Sequence, residues 1–452
     1  MGTLPSELVS DNCQTETSFF GGMKMKKLTI YCVLVFSSLS FCSIAAADEI
    51  ADLKKQLAEM QQKIEQLEAR QKQQDEQIEA QKKEQDKQIE QKVSEAVEKK
   101  GAPALPDSLK WAERIKFNAD LRYRYEYIDE DGLDNRNRNR IRARIGATAK
   151  VNDDVDAGIR LATSEETSSG NGDPVSTNQT LDDVFSKKSI WLDLAYFMWH
   201  PQSIPGLNVI GGKMETPFLR VGGNQLIFDS DLTPEGIAAQ KVYTCTERDE
   251  VFVNGGGFWI NEVSQGADTA LWGIQSGLKH TFENKSALTG GASYYSYGNI
   301  EGSGPLVGSG FQGNSNAGGL FVSDIDTAEI FGEYGFEYGQ RPAALFANYV
   351  NNTSSATSDD TGWLIGAKYN KCKDPGSWEL AYDYRDLQAD AVLGAINDSD
   401  FLGGGTNGKG HRFSGTYQLA KNVQGALTYF LNEKSDDDHD YHRLQTDLIF
   451  KF

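Results

Sequence analysis

The feature that most constrains this chain is a strict alternation of apolar and polar side chains, which recurs in short segments from residue 115 onward. Apolar residues occupy the odd positions from Phe117 to Tyr127, and charged or amide residues occupy the even positions from Lys116 to Glu126. Residues 140–151 repeat the pattern. A period of two places successive side chains on opposite faces of a β-strand. Alternation alone is compatible with a soluble sandwich or with a barrel.

The lengths of the connections decide between these two folds. Alternating segments predict sixteen strands, which begin near residues 115, 140, 155, 189, 207, 237, 250, 270, 287, 326, 343, 362, 377, 410, 423 and 441. Even-numbered connections are mostly tight, such as 152–154, and odd-numbered ones are mostly long and polar, such as 164–188. A soluble sandwich has no reason to sort its loops by parity, whereas a transmembrane barrel does. The sequence therefore predicts an all-β transmembrane fold, a 16-stranded antiparallel β-barrel over residues 115–452.

Charge and hydropathy exclude several other classes. The 452 residues carry 45 basic and 65 acidic side chains, a net charge of −20, which argues against nucleic-acid binding. A helical membrane protein would need several apolar runs of about 20 residues, and one candidate is present, near the N-terminus. A transmembrane barrel is compatible with the 39% hydrophobic content because only every second residue faces lipid.

The N-terminal residues have the pattern of an export signal. A basic start at Met25-Lys26-Lys27 precedes the apolar residues 28–44, and three alanines that end at Ala47 follow. This order is typical of a cleaved secretory signal. We therefore expect residues 1–47 to contain upstream residues and a signal peptide cleaved after Ala47; a retained membrane anchor is the minority alternative.

Residues 48–100 are rich in Gln, Glu, Lys and Ala. From Ile50 to Leu67, apolar residues recur in steps of three and four, the seam of a coiled coil. Glutamines then occupy much of the seam, so a solvated single helix remains the alternative. We expect a periplasmic α-helical coiled coil, followed by a linker over residues 101–114 that contains Pro103 and Pro106.

No constellation of residues points to catalysis or to a cofactor. A nucleophile elbow, the H-E-x-x-H zinc motif and a phosphate-binding glycine loop are all missing from the sequence. Cys245 and Cys372 fall on different strands or turns, without a Cys/His cluster that would suggest a metal site. We expect a protein that is not an enzyme and has no catalytic residues, metal or cofactor.

Two stretches resemble known proteins. The last strand, 441–452, ends on Phe452 and resembles the final strand of Gram-negative outer-membrane barrels, which the barrel-assembly machinery recognises in that family. The loop 216–236 carries several apolar residues and resembles the third loop of sixteen-stranded porins, which folds into the lumen. Its stretches GKMETPF and DSDLTPEG are similar to those of the putative-porin family of Gram-negative bacteria, whose members share the order of export signal, coiled coil and barrel.

The resemblance implies a set of pore-lining residues. Arginines recur on the polar faces of the first three predicted strands, and the loop 216–236 would bring carboxylates across from them. The candidate constriction residues are Arg122, Arg124, Arg140, Arg142, Arg144, Arg160, Arg220, Asp229 and Asp231. The alternative is that these arginines only pair with carboxylates on neighbouring strands. An acidic vestibule would favour cations and an arginine-lined constriction anions; we expect a weak cation preference.

The predicted function is that of an outer-membrane porin, a water-filled channel for passive diffusion of ions and small hydrophilic solutes. The alternatives are a structural tether between the outer membrane and the cell wall, with a plugged barrel, and a solute-specific channel. The resemblance implies contact with outer-membrane lipid and lipopolysaccharide, assembly through the Phe452 strand and a homotrimer. The coiled coil would lie in the periplasm, where it could contact the cell wall.

Overall fold

The computed structural model describes residues 112–435 and 439–452 and contains sixteen long strands, which we label in chain order. The strands are β1 (Ile115–Glu130), β2 (Arg136–Lys150), β3 (Val155–Thr163), β4 (Ile190–Trp199), β5 (Leu207–Lys213), β6 (Glu235–Thr244), β7 (Asp249–Asn261), β8 (Thr269–Thr281), β9 (Ala287–Tyr297), β10 (Ile325–Tyr338), β11 (Arg341–Asn352), β12 (Thr361–Tyr369), β13 (Trp378–Leu387), β14 (Gly408–Ala420), β15 (Val423–Lys434) and β16 (His439–Lys451). Three two-residue strands, Gln179–Thr180, Asn316–Ala317 and Leu320–Phe321, lie in loops.

Each long strand pairs antiparallel with its neighbours in sequence, and the last strand pairs with the first. The closing register runs from Asp120 opposite Lys451 to Glu130 opposite Tyr441. Because β1 pairs with β16, the sheet is closed, and the strands form one continuous wall with an inner and an outer face. The predicted sixteen-stranded antiparallel barrel is therefore confirmed, with strand starts within a few residues of those predicted. The predicted coiled coil and signal peptide lie outside the described residues.

The alternating pattern separates an apolar outer face from a mixed inner face. Outward side chains such as Phe117, Ile145 and Trp272 are mostly exposed, as expected for a wall that faces hydrocarbon. The intervening residues point inward, where Arg124 and Arg142 are buried. Within the part of the chain that the structure describes, no helix is long and apolar enough to span a membrane.

The connections differ at the two ends of the barrel. One end, the turn end, has mostly short links such as 339–340 and 421–422; the other end, the loop end, carries the longer connections. We call these loops L1 (131–135), L2 (164–189), L3 (214–234), L4 (262–268), L5 (298–324), L6 (353–360) and L7 (388–407). L3 begins after Lys213 and ends before Glu235, which sets bounds two residues earlier than those predicted.

A charged residue on the outer face tests the membrane-facing assignment of that face. Ile145→Arg should lower the free energy of unfolding by about 2 kcal/mol or more, because the guanidinium would face hydrocarbon. Thr148→Arg, on the inner face of the same strand, should have a smaller effect. Urea titration of the protein in lipid vesicles measures both; equal losses for the two variants would contradict the assignment.

Candidate pore constriction

Arginines line the inner face of three adjacent strands, and six of them are the residues that the sequence predicted. Their guanidinium groups form a ladder across β1, β2 and β3; the members are Arg122, Arg124, Arg140, Arg142, Arg144 and Arg160. The alternation of the strands and the register of β1 with β2, which sets Arg122 opposite Arg142 and Arg124 opposite Arg140, bring them together. Neighbouring cations repel unless carboxylates offset them, so the positions of the carboxylates determine the electrostatics of this wall.

Most of the ladder is paired with carboxylates on the same wall. Asp120, on β1, lies 2.8 Å from Arg142 and 2.6 Å from Arg144. Arg160 forms ion pairs with Asp193 and, at 2.9 Å, with Glu215. Pairing on neighbouring strands, the alternative left open by the sequence, therefore accounts for much of this set. Buried ion pairs of this kind relieve the desolvation of each charge but leave little free positive charge.

Arg124 of the ladder belongs to a denser network of ion pairs that includes side chains of β16. Arg124 donates to both carboxylate oxygens of Asp447, at 2.7 and 2.8 Å, and lies 3.2 Å from Asp400 of L7. Arg443, also on β16, lies 2.7 Å from Glu126 and 2.8 Å from Asp400. Asp400 thus bridges two buried arginines. Arg443, Glu126 and Asp400 were missed by the sequence analysis, although Arg443 lies on the polar face of the last strand.

Arg122 differs from the rest of the ladder. Its Nη2 donates to the amide oxygen of Asn178 in L2, at 2.6 Å. Within residues 112–435 and 439–452, Arg122 forms no ion pair with a carboxylate and its buried Nε has no hydrogen-bond partner. Its neighbours Arg124 and Arg142 are cationic. Arg122 is therefore the ladder residue whose charge is least compensated.

L3 crosses the interior and is held by polar side chains of the wall. Gln275 of β8 accepts from the backbone N–H of Leu219 at 2.7 Å and donates to its carbonyl at 3.0 Å. Glu333 of β10 accepts from the N–H of Gly222 at 2.6 Å. Gly222 has φ +61°, and a Cβ there would lie 2.5 Å from the ring of Phe346 on β11. L3 therefore contacts a part of the wall far from the arginine ladder.

The predicted L3 charges have separate partners. Asp231 lies 3.5 Å from Arg144 and accepts hydrogen bonds from the N–H and hydroxyl of Thr177, in L2. Asp229 instead contacts L7, where it accepts from the N–H of Ser399 at 2.8 Å. Arg220 donates to the carbonyl of Phe228 within L3. Of these three residues, Asp231 is the one that L3 brings to the arginine ladder.

L7 also enters the interior, which the sequence analysis did not anticipate. Its residues 389–395 are buried, and Asn314 of L5 holds them by donating to the carbonyls of Ala389 and Val392. Farther along L7, Asp398 forms a 2.8 Å ion pair with Arg385 of β13. The apolar run from Ala391 to Ile396 is the signal that could have indicated an inward loop.

L3, L5 and L7 share one apolar cluster inside the barrel, which we call the loop core. Phe218 and Phe228 of L3 pack edge-on against Tyr295 of β9, with ring centroids 5.0 Å apart in each case. The other buried loop members include Val221, Leu226, Ile227, Ile300, Phe321, Ala391, Val392 and Leu393. The loop core fixes all three loops to each other and to the wall, so free space is displaced from the centre of the barrel.

A cavity of about 1080 Å³ lies at the loop end beside this core. Its polar lining comes from L2 and L3, including Thr177 and Asp231, and its apolar lining includes Trp191 and Val307. Asp231 thus faces both this cavity and Arg144. Asp231 therefore lies where the cavity at the loop end meets the arginine ladder, as a residue at the constriction of a channel would.

Asp400 and Asp229, two of the carboxylates that join L7 to its surroundings, respond to pH in opposite directions. Although burial alone would raise it, Arg443 and Arg124 bring the pKa of Asp400 well below its ordinary value. Its stabilising contribution is present above the unfolded carboxyl pKa, about 4, and is lost as pH falls through the folded pKa. Burial, followed by the charges of Asp231 and Asp398, raises the pKa of Asp229. The contribution of Asp229 to stability is therefore present while its carboxyl is protonated and is lost as pH rises through the folded pKa.

Comparisons with known proteins support the barrel and identify the family. A family model described as a putative porin matches residues 129–311 and 327–452, more than half of the chain. No curated protein matches the sequence. Pseudomonas putida OprB at high pH is similar in structure, with a TM-score of 0.52, 14% identity and coverage of 75% of this chain and 95% of that one. Vibrio cholerae OmpT lacking loop L8 has a TM-score of 0.46 and 13% identity, with coverage of 75% of this chain and 100% of that one. The OprB match supports the fold alone.

Substitution of Gly222 tests the contact of L3 with the wall. Gly222→Ala should lower the free energy of unfolding by about 1–3 kcal/mol more than Gly223→Ala, because only the first variant overlaps the Phe346 ring. Both glycines have positive φ, 61° and 63°, so the backbone strain is matched. Urea unfolding and single-channel conductance measure the effect. Equal stability and conductance of the two variants would show that L3 does not depend on this contact.

Proposed function

The chain belongs to the putative porin family, and we propose that its outer-membrane channel lets ions and small hydrophilic solutes diffuse passively through an off-centre constriction. The observation that carries this proposal is the charged inner wall of β1–β3 opposite L3, where Asp231 meets Arg144 at 3.5 Å. This pair lies beside the cavity of about 1080 Å³, which Asp231 also lines, and fixed charges along such an aqueous space order water and ions and disfavour apolar solutes. The family and fold indicate a channel rather than an enzyme.

We propose that the turn end faces the periplasm and the loop end faces outward, as the lengths of the connections suggest. The coiled coil over residues 48–100 would then extend into the periplasm and could contact the cell wall. The Phe452 strand, whose partner is β1, would be the segment read by the barrel-assembly machinery. Lipopolysaccharide would surround the loop end.

The distribution of charge supports a weak cation preference. Residues 101–452 hold 48 acidic side chains (65 less 17) and 31 basic ones (45 less 14). Because Asp120, Asp447 and other carboxylates pair with most of the ladder, the ladder does not present a continuous positive wall. The remaining negative charge would therefore favour cations, and Arg122 would be the main group opposing them.

A second function is favoured by the loop core. L3, L5 and L7 pack against one another, with Leu226, Ile300 and Val392 fully buried. A barrel filled in this way could serve as a structural tether between the outer membrane and the cell wall. A solute-specific channel is the intermediate case, in which the cavity beside the core binds one solute.

Recordings in planar bilayers across a salt gradient separate these functions. A steady conductance would support the open porin, a folded but silent barrel would support the tether, and saturable block by one solute would support a specific channel. We expect a reversal potential that indicates weak cation selectivity.

Arg122 provides a test of the charge argument in the same recordings. Arg122→Gln should increase the selectivity for K⁺ over Cl⁻, since it removes the least compensated cation, whereas Arg122→Lys should retain the wild-type reversal potential. A wild-type reversal potential for the glutamine variant would exclude a role for Arg122 in selectivity.

We also propose a homotrimer, in line with the predicted resemblance to sixteen-stranded porins. L2 supports contact with another copy, because Val184 and Phe185 at its tip are 91% and 102% exposed. Asp183, Val184 and Phe185 all have left-handed φ, between 52° and 62°, a conformation that is uncommon for β-branched residues. An apolar tip held in such a turn is better explained by a protein contact than by solvent.

Removal of the apolar tip tests this contact. Val184→Ser combined with Phe185→Ser should lower the temperature at which the detergent-solubilised assembly dissociates, as measured by light scattering. Leu133→Ser, at an L1 residue that is 66% exposed, is the matched control and should leave the midpoint unchanged. An unchanged midpoint for the double variant would exclude the tip from the interface.

A further inference from the structure

One sector of the turn end carries basic side chains without acidic partners. We call it the basic sector; its members are Arg341, Lys371, Lys373, Lys421 and Lys451. All five side chains are exposed, and within the described part of the chain none forms an ion pair with a carboxylate. The turns 370–377 and 421–422 contain a single carboxylate, Asp374. The backbone N–H of Lys451 donates to the carbonyl of Asn422 at 2.9 Å, which brings the end of β16 next to the second turn.

Several basic side chains elsewhere at the turn end do have acidic partners. Lys150 pairs with Asp153 at 2.9 Å. Arg248 pairs with Glu283 at 3.1 Å, and Lys279 pairs with a carboxylate of β7 at the same distance. Lys285, near Arg248 and Lys279 at this end, is exposed and has no ion pair within the described residues, so a single unpaired base occurs here, whereas the basic sector groups five. An uncompensated cluster at a membrane surface attracts anions.

A groove of about 510 Å³ opens on the outer face of β13–β16, next to the basic sector. Gly415 and Gly425 form its floor, because they lie on the outward face of β14 and β15 and carry no side chain. Leu380, Tyr417 and Leu427, all about half exposed, form its walls. The register sets Gly415 opposite Leu427 and Tyr417 opposite Gly425, so the two glycines are diagonal neighbours, and both line the same groove.

Aromatic residues place this groove at the boundary of the membrane. Trp378 lines the groove and packs against Tyr369, with ring centroids 5.6 Å apart. The guanidinium of Arg341 lies 4.8 Å from the centroid of the Trp378 ring. Trp and Tyr at this level favour the headgroup region of a bilayer, and the stacking holds the Arg341 charge directly beside the groove.

We propose that this surface binds an anionic phospholipid from the membrane leaflet at the turn end. The phosphate would contact the basic sector, and an acyl chain would lie over Gly415 and Gly425. A phospholipid matches both parts of the surface, since it joins a negative headgroup to an apolar chain of suitable width. The inference rests on the membrane-embedded barrel and is independent of the proposed selectivity.

A second copy of the chain is a poorer occupant. Two basic sectors facing each other would repel, and the apolar groove alone would not use the charges beside it. The L2 tip, which we propose as the contact between copies, lies at the opposite end of the barrel. Charge complementarity therefore favours the lipid.

The test measures retained lipid on the full-length protein purified in detergent. Dioleoyl phosphatidylglycerol and the zwitterionic dioleoyl phosphatidylcholine are added separately, and native mass spectrometry counts the bound molecules. We expect preferential retention of phosphatidylglycerol. Arg341→Gln and Lys421→Gln should each reduce its affinity about fivefold, as expected for about 1 kcal/mol per basic residue at an anionic surface. Lys150→Gln, at a paired lysine of the same rim, is the control.

Filling the groove provides an independent measurement. A Cβ at Gly415 would have Leu380 Cδ2 as its nearest neighbour, at 3.4 Å, so Gly415→Leu should fold normally. It should reduce phosphatidylglycerol retention severalfold, whereas Gly290→Leu, at an outward glycine on β9, should not. Equal retention of the two lipids, or wild-type retention by the Gln and Leu variants, would overturn the proposal. A changed oligomer mass with unchanged lipid retention would also overturn it and assign the groove to a contact between copies.

Discussion

The pairing of β1 with β16 is the interaction on which the rest of the structure depends. In hydrocarbon, an unpaired backbone N–H or carbonyl has no water to replace its partner, so an open sheet edge is strongly unfavourable. The register from Asp120–Lys451 to Glu130–Tyr441 removes both edges at once. It also completes the inner wall, because Arg124 of β1 and Asp447 of β16 meet across this seam. The pairing of β1 with β16 therefore closes the backbone of the barrel and also brings these buried charges together.

Inside the closed wall, two kinds of packing share the space. The β1–β3 and β16 side is charged, and its arginines stay buried because Asp120, Glu126, Asp400 and Asp447 offset them. The opposite side holds the loop core, where aromatic and aliphatic groups exclude water. L3 contacts both sides, and L7 reaches from the core to the arginines through Asp400. The cavity of about 1080 Å³ lies where the polar and the apolar half meet.

The sequence predicted the barrel well because its signals are local. Alternation with a period of two sets the strands, and the sorted connection lengths set the number of crossings, so starts such as Ile115 and Ala287 needed no tertiary information. The pairing of the arginines was less accessible. Two of the carboxylates that Arg124 contacts lie 323 and 276 residues away along the chain. L7 was missed because its aspartates resemble those of a solvated loop, although Arg385 and Arg443 neutralise two of them inside.

The shared packing of L3, L5 and L7 divides the loops into two evolutionary classes. In the proposed orientation the loop end faces outward, where antibodies and bacteriophages would contact it. Substitutions in the loop core would disturb three loops together and are therefore constrained. L1 and L4 are exposed along their whole length and can vary at little cost. With the proposed orientation, antigenic variation should concentrate in these two loops, and they are also the sites where an inserted epitope tag would leave the interior intact.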